Sequence, residues 1–306
     1  MRVVTWNTAK RLTAVEGLGA ALAELRGDVV LLQAVTRPQL DRLRPAMRAA
    51  ELHWVVSSID EACAAGKYAA NVVASRWRCR QMPSGWAGRQ GANRSWVQRY
   101  NRLGIEMPAW DGLAPRPWLL LRVQLDSPWG LVDLVNAHVP AQARNRWDKV
   151  KAMVALGASL EAAEPGLRIV GGDFSSPRKE TPEGMRGYGL GHKDRGKLWE
   201  EAELTVLGPA ARHGLRDAFR AIHPLAQAPR EGSCLCEGAG LRRFDHLLVS
   251  SHFLVESAEY RRQWMDSPSQ RRLSDHAPLV ASFEVRLVPV GPGYSTPRRP
   301  APAPMR

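Results

Sequence analysis

The sequence predicts a layered α/β protein, and three observations carry that prediction. Short apolar runs of strand length alternate with segments whose apolar residues recur every three or four positions. Hydrophobic residues make up 44% of the 306 positions, enough to build a large core. Polar residues stand repeatedly at the ends of the apolar strands, where a sheet holds functional groups on a rigid frame.

The elements follow in order. Residues 2–6 form an apolar strand that ends at Asn7. Leu12, Val15, Leu18, Leu22 and Leu25 lie at helical spacing and predict an amphipathic helix over 12–26. Gly27-Asp28 breaks it before a strand at 29–32. A second helix is predicted over 38–50, with Pro38 in its first turn, where a missing N–H leaves no bond unmade. Strands follow around 53–58 and 70–75. Residues 118–125 and 130–136 are strands joined by a turn at Ser127-Pro128-Trp129-Gly130. A helix over 144–163 carries Trp147, Val150, Met153, Val154 and Leu160 on its buried side. The run from Leu167 to Asp173 is a short buried strand ending in a carboxylate. A basic, Gly-rich loop is expected over 184–197, then strands at 244–250 and 278–285. The segment 287–306 holds six prolines and too little apolar content to pack. The expected organisation is one domain over 1–286 and a Pro-rich, disordered tail over 287–306.

The formal net charge of +13 favours polyanionic partners, since each Lys or Arg that meets a phosphate releases counterions. An arginine bias spread over a solvated surface is the alternative. No apolar run reaches the roughly 18 residues of a membrane-spanning helix, so no membrane is expected. The first residues read as a strand and not as a secretory leader. Cys234 and Cys236 lack a second ligand pair at zinc spacing, and the four cysteines are expected as reduced thiols in a cytoplasmic monomer.

Residues 76–102 stand apart. Arg76, Arg78, Arg80, Arg89, Arg94, Arg99 and Arg102 interleave with Trp77, Trp86, Trp96 and Tyr100, with no acidic residue before Glu106. Arginines on phosphates beside rings on unpaired bases make a single-strand binding surface. Tryptophans that pack the loop down under solvated arginines are the alternative. Lys193 and Arg195, with Arg186, His192 and Lys197, form a second basic element.

The strand-end residues are Asn7, Asn136 with His138, Asp173, Asp245 with His246, and Asp275 with His276. The stretches around them are Val4-Thr5-Trp6-Asn7, Leu31-Leu32-Gln33, Val135-Asn136-Ala137-His138-Val139-Pro140, Gly171-Gly172-Asp173-Phe174, Arg243-Phe244-Asp245-His246 and Ser274-Asp275-His276-Ala277-Pro278-Leu279. In this order they resemble the endonuclease/exonuclease/phosphatase superfamily, over residues 1–285. The resemblance implies a four-layer α/β/β/α sandwich of two mixed, mostly antiparallel sheets flanked by helices. It implies a divalent-metal-dependent hydrolase of phosphate esters, most simply a phosphodiesterase or nuclease on DNA or RNA.

By the same resemblance, His276 meets a phosphate oxygen or serves as acid or base, and Asp245 fixes its imidazole. Asp173 orients or deprotonates the attacking water, His138 protonates the leaving oxygen, and Asn136 supports that corner. Asn7 and Asp275 help hold magnesium or manganese. Arg76, Arg94, Arg99, Lys193, Arg195 and Ser175 are the expected substrate contacts.

Two positions depart from the pattern. Ala34 stands where the family has the glutamate that is its main metal ligand, and Ser175 stands where it has an asparagine. Ala34 is open to three readings: an inactivating change, a natural site holding metal through Asp275, Asp173 and waters, or a binding protein without turnover. A non-catalytic nucleic-acid or phosphate binder and a phosphomonoesterase on a small metabolite are therefore the alternative functions.

Overall fold

The structure is a computed structural model that describes residues 1–83, 98, 118–141, 146–177, 179–181, 184–186, 193–209, 211–227, 231–236, 240–266 and 272–286. The tail from 287 to 306 lies outside the described residues.

In chain order the elements are β1 (Arg2–Asn7), α1 (Val15–Leu25), β2 (Val29–Thr36), α2 (Arg37–Ala49), β3 (Trp54–Ser57), α3 (Ile59–Ala64) and β4 (Ala69–Ser75). Next come β5 (Cys79–Gln81), β6 (Leu120–Ser127), β7 (Gly130–His138), α4 (Arg146–Glu161) and β8 (Arg168–Asp173). The remainder are β9 (Lys179–Thr181), β10 (Gly184–Arg186), α5 (Lys193–Leu207), β11 (Arg216–Asp217), α6 (Ala218–Ile222), β12 (Cys234–Cys236), β13 (Gly240–Arg242), β14 (Asp245–Val249), β15 (Phe253–Tyr260) and β16 (Leu279–Val285).

Two six-stranded sheets organise the chain, in the orders β15-β16-β1-β2-β4-β3 and β11-β14-β8-β7-β6-β5. Each has one parallel pair at its centre, β1 with β2 and β7 with β8, and antiparallel pairs elsewhere. Side chains alternate across a strand, so each sheet has two faces to cover. Val3, Val29 and Leu31 point between the sheets, where they meet Val123, Leu134, Ile169 and Leu247. Val4, Val30 and Leu32 point outward onto Leu18, Leu22 and Leu25 of α1 and Leu40 and Leu43 of α2. On the second sheet Val135, Val170 and Leu248 meet Val150, Met153 and Leu156 of α4 and Val206 of α5. The result is the expected four-layer α/β/β/α sandwich.

Most expected elements lie within two or three residues of their observed bounds. α2 starts with a capping box in which Thr36 and Gln39 exchange side-chain and backbone bonds. The turn after Ser127 closes a hairpin, with Ser127 Oγ donating to the Gly130 carbonyl at 2.7 Å. The elements α3, β5, β9, β11, α6, β12, β13 and β15 had no expectation. The expected loop over 184–197 is corrected: β10 occupies its start, and α5 begins at Lys193 and runs through the helix formers Glu200, Glu201, Ala202, Glu203 and Leu204.

Candidate active site

The C-terminal ends of both parallel pairs, the start of β14 and the segment before β16 converge at one end of the sandwich. The register explains why their side chains meet. His138 pairs with Asp173 across β7 and β8, and Asp173 pairs with Asp245 across β8 and β14. Residues in one cross-strand row project from the same face, so an imidazole and two carboxylates stand side by side. Gly172 makes this approach possible, because a Cβ there would lie 1.8 Å from the Ala137 carbonyl oxygen. His276 completes the group from the other sheet's side, where Trp6 Nε1 donates to its carbonyl at 2.9 Å.

Two contacts define the centre. His276 Nδ1 lies 2.6 Å from Asp245 Oδ2, and both side chains are buried. Asp173 Oδ2 accepts from Asn7 Nδ2 at 2.8 Å and lies 3.8 Å from both His138 Nε2 and His276 Nε2. The other Asp173 oxygen accepts from the Ser175 backbone N–H at 2.7 Å. Asp173 is thus fixed through both oxygens between two imidazoles.

The electrostatics separate the two histidines. Burial alone would lower the pKa of His276, but Asp245 and then Asp173 overcome it and push it up to about 10. For His138, burial lowers the pKa more than the charge of Asp173 raises it, and the charges of His276 and Lys10 add to the lowering. Burial opposes ionisation of Asp173, yet His276 and His138, with the Asn7 and Ser175 bonds, hold it below the usual carboxylate range. At neutral pH the cluster contains an imidazolium, a neutral imidazole and a carboxylate. Unequal pKa values of this kind divide acid from base roles.

Other expected site residues sit differently. Asn136 is buried between the sheets and not in the cleft; its Nδ2 donates to the Leu32 and Val72 carbonyls at 3.0 and 2.8 Å. Asn7 gives its amide N–H to Asp173 and accepts at Oδ1 from the Ala9 N–H, so it fixes a carboxylate of the cluster. Asp275 is exposed at the rim, near enough for its charge to act on His276 and Arg11. Ser175 Oγ donates to the Val139 carbonyl at 3.1 Å and lies 3.4 Å from Asp173 Oδ1. Arg76 is at the opposite end of its sheet, where its backbone N–H meets Asp28 and its side chain faces Asp28 and Glu51. Antiparallel pairing of β4 with β2 carries it there, since Val29 is opposite Ser75. Arg94 and Arg99 lie outside the described residues. Lys193 and Arg195 open α5, and their side chains lie outside the description too.

Ala34 occupies a bulge in β2, where the register shifts between Leu32 and Val35 and its φ is +56°. It is buried and offers no side-chain oxygen. One pair on the rim has no counterpart among the expected residues. Lys10 Nζ lies 3.3 Å from the Tyr68 hydroxyl and 4.9 Å from its ring centre, and Tyr68 is 70% exposed. Nothing in the sequence joins two residues 58 positions apart.

One ligand atom each from Asp173, Asp245 and His276 lies within 4.8 Å of the others, a group that could hold a metal ion. Asp245 Oδ1 is buried without a hydrogen-bond partner among the described residues, so an acceptor is left open inside this group. Two carboxylates with room for water suit a hard divalent cation.

An α/β/β/α sandwich with a His–Asp cluster at one end is the architecture of the endonuclease/exonuclease/phosphatase proteins. The chain has that fold. An endonuclease/exonuclease/phosphatase protein from Beutenbergia cavernae superposes with a TM-score of 0.60 at 17% identity, covering 94% of this chain and 72% of that one. An AP endonuclease from Archaeoglobus fulgidus gives 0.59 at 15% identity, with 93% and 100% covered. The 3′ phosphatase NExo from Neisseria, bound to a product DNA hairpin, gives 0.57 at 17% identity, with 93% and 99% covered. No protein-family model and no curated protein matches the chain.

Proposed function

We propose that the chain hydrolyses phosphate esters with help from a divalent cation, magnesium or manganese, and that its substrate is a phosphodiester of DNA or RNA. The observation that carries this reading is Asp173, clamped through both oxygens and flanked at 3.8 Å by His138 and by the Asp245-bound His276. His276, held as an imidazolium, meets a non-bridging phosphate oxygen with a charge-assisted bond. Asp173 is ionised and takes the proton of the attacking water. His138 is neutral at neutral pH, so it acts first as an acceptor and must gain a proton before it serves the leaving oxygen.

Asp173 and Asp245 are the carboxylates that would hold the cation. When bound, such an ion neutralises phosphate charge and lowers the pKa of its water. The choice of a nucleic acid rests on the net charge of +13, on the exposed Lys10–Tyr68 pair at the rim, and on the DNA product bound by the similar NExo. The thiols of Cys63 and Cys79 support a reducing, cytoplasmic setting. We take the chain to act as a monomer through a single domain over 1–286.

The test is cleavage of a panel of DNA, RNA and small phosphate esters in magnesium and manganese, by the chain itself, by Ala34→Glu and by His276→Ala. Cleavage that falls sharply in His276→Ala supports the proposal. No cleavage by either the chain or Ala34→Glu overturns it. Ala34 and the Val139-bound Ser175 hydroxyl favour one second reading, a phosphate binder without turnover. Salt-dependent binding to nucleic acid with no cleavage, even in Ala34→Glu, would select that reading.

A further inference from the structure

The turn after Asp173 rests on a buried ion pair that the chemistry above does not use. On α4 the side chains of Met153, Leu156 and Leu160 form a buried stripe at spacings of three and four, and Lys149 heads that stripe. Its side chain is 2% exposed. Its partner is Glu203, which takes the place of an apolar residue on the facing side of α5, one turn before Val206. Lys149 Nζ lies 3.1 Å from Glu203 Oε1. Burying two charges where aliphatic residues would pack as well is not a route to stability, because desolvation offsets the attraction. Their other bonds indicate what they do.

Lys149 Nζ donates to the Ser175 carbonyl at 2.6 Å, and Ser176 Oγ donates to Glu203 Oε1 at 2.5 Å. His246 Nε2 donates to the Ser176 carbonyl at 2.7 Å, so both peptide oxygens of this turn are held by side chains. Ser175 itself adopts φ +49°, a left-handed conformation that an L-residue keeps only when its surroundings impose it. In that conformation its N–H points back at Asp173 Oδ1, 2.7 Å away. The other oxygen is then turned to Asn7 and the two histidines.

We infer that Lys149 and Glu203 are positioning residues, a buried ion pair that clamps the 174–177 turn so that the Ser175 N–H aims the Asp173 carboxylate. The inference rests on the proposed reaction for its consequence in catalysis, but its structural content can be read without turnover. Neither side chain touches the substrate. Both act through the backbone of Ser175 and Ser176.

The test uses the full chain with both charges removed together, Lys149→Met with Glu203→Leu, which avoids leaving one charge buried alone. Amide hydrogen exchange is followed at Ser175 and Ser176 and along α4 and α5. Exchange at the two serines is expected to rise about tenfold or more while the helices keep their protection. On a cleaved ester, kcat should fall with KM nearly unchanged, a split that loss of general packing would not produce. Unchanged exchange at Ser175 and Ser176 in the folded double variant overturns the inference. Should that variant not fold, Ser176→Ala removes only the hydroxyl tie to Glu203, and the same two amides decide: faster exchange supports the clamp and unchanged exchange overturns it. A wild-type chain that neither binds inorganic phosphate nor cleaves any ester fails the functional proposal alone, since the exchange result still stands by itself.

Discussion

Gln33 Nε2 donates to Asn136 Oδ1 at 2.7 Å, a bond that crosses from one sheet to the other in the centre of the sandwich. Gln33 precedes the Ala34 bulge, and Asn136 precedes His138 by two positions on β7. The bond therefore sets the spacing between the two halves of the cleft. Asn136 Nδ2 adds the Leu32 and Val72 carbonyls, and Asn71 Nδ2 donates to the Asn136 carbonyl at 3.0 Å.

Asn136→Leu should destabilise the chain by about 1–3 kcal/mol, since it strips partners from buried amide and carbonyl groups. Urea unfolding checks this. A midpoint equal to that of the parent would show that the bridge contributes nothing.

Ala34→Glu should bind manganese more tightly than the parent, because it places a third carboxylate near Asp173 and Asp245. Without metal the same variant should be less stable than the parent, as like charges crowd a buried site. Calorimetric titration of manganese and thermal unfolding in chelator give the two values. Equal manganese affinity in parent and variant would mean that position 34 does not face the cation.

Asp173→Asn should lower the rate on any cleaved ester by about 10²–10⁴, the range for removing a positioned proton acceptor. The amide oxygen can still accept from the Ser175 N–H, but its NH2 group then faces the Asn7 Nδ2 donor, so the unfolding midpoint should fall modestly. Initial rates at matched folded fractions measure the effect. A loss below about tenfold would assign the proton to another group.

The raised pKa of His276, about 10 against an ordinary 6.5, makes a prediction about alkaline stability. Its contribution to stability is complete below about 6.5 and is lost as pH rises through about 10. Urea midpoints of the parent should therefore fall between pH 7 and 11 more than those of His276→Gln. Parallel falls in the two proteins would contradict the assignment.

On the acid side the corresponding group is Glu180. Burial opposes its ionisation, but Arg243 and Arg220 overcome that and hold its pKa down at about 2. Its contribution is present above about 4.5 and disappears as pH falls through about 2. Circular dichroism during acid titration should show Glu180→Gln less stable than the parent at pH 6, with the difference closing towards pH 2. A difference that persists at pH 2 would trace the effect to packing instead.

The layers and the pair at the centre of the site were legible from the amino acids. Periods of two and of three to four residues assign strands and helices without knowledge of their partners, because each face must be covered by apolar groups. Asp245 and His276 stand in motifs, so their 2.6 Å contact was expected from sequence. Lys149 was not legible as a buried charge, for one lysine in a helix looks like any solvated one until α5 is packed against it. Neither was α5's start, hidden in a basic, Gly-rich stretch.

By itself, then, the sequence determined the principal strands and helices apart from α3, α5, α6 and β15, which polar residues end the strands, and that Ala34 carries no ligand oxygen. Only the tertiary structure decided which way those polar residues face. Asn136 turns inward to join the sheets, Ser175 turns its hydroxyl to Val139, and Arg76 is carried to the far end by the antiparallel pairing of β4. The physical reason is that periodicity is a property of one element, whereas the direction and distance of a side chain from a site depend on register between elements far apart in the chain.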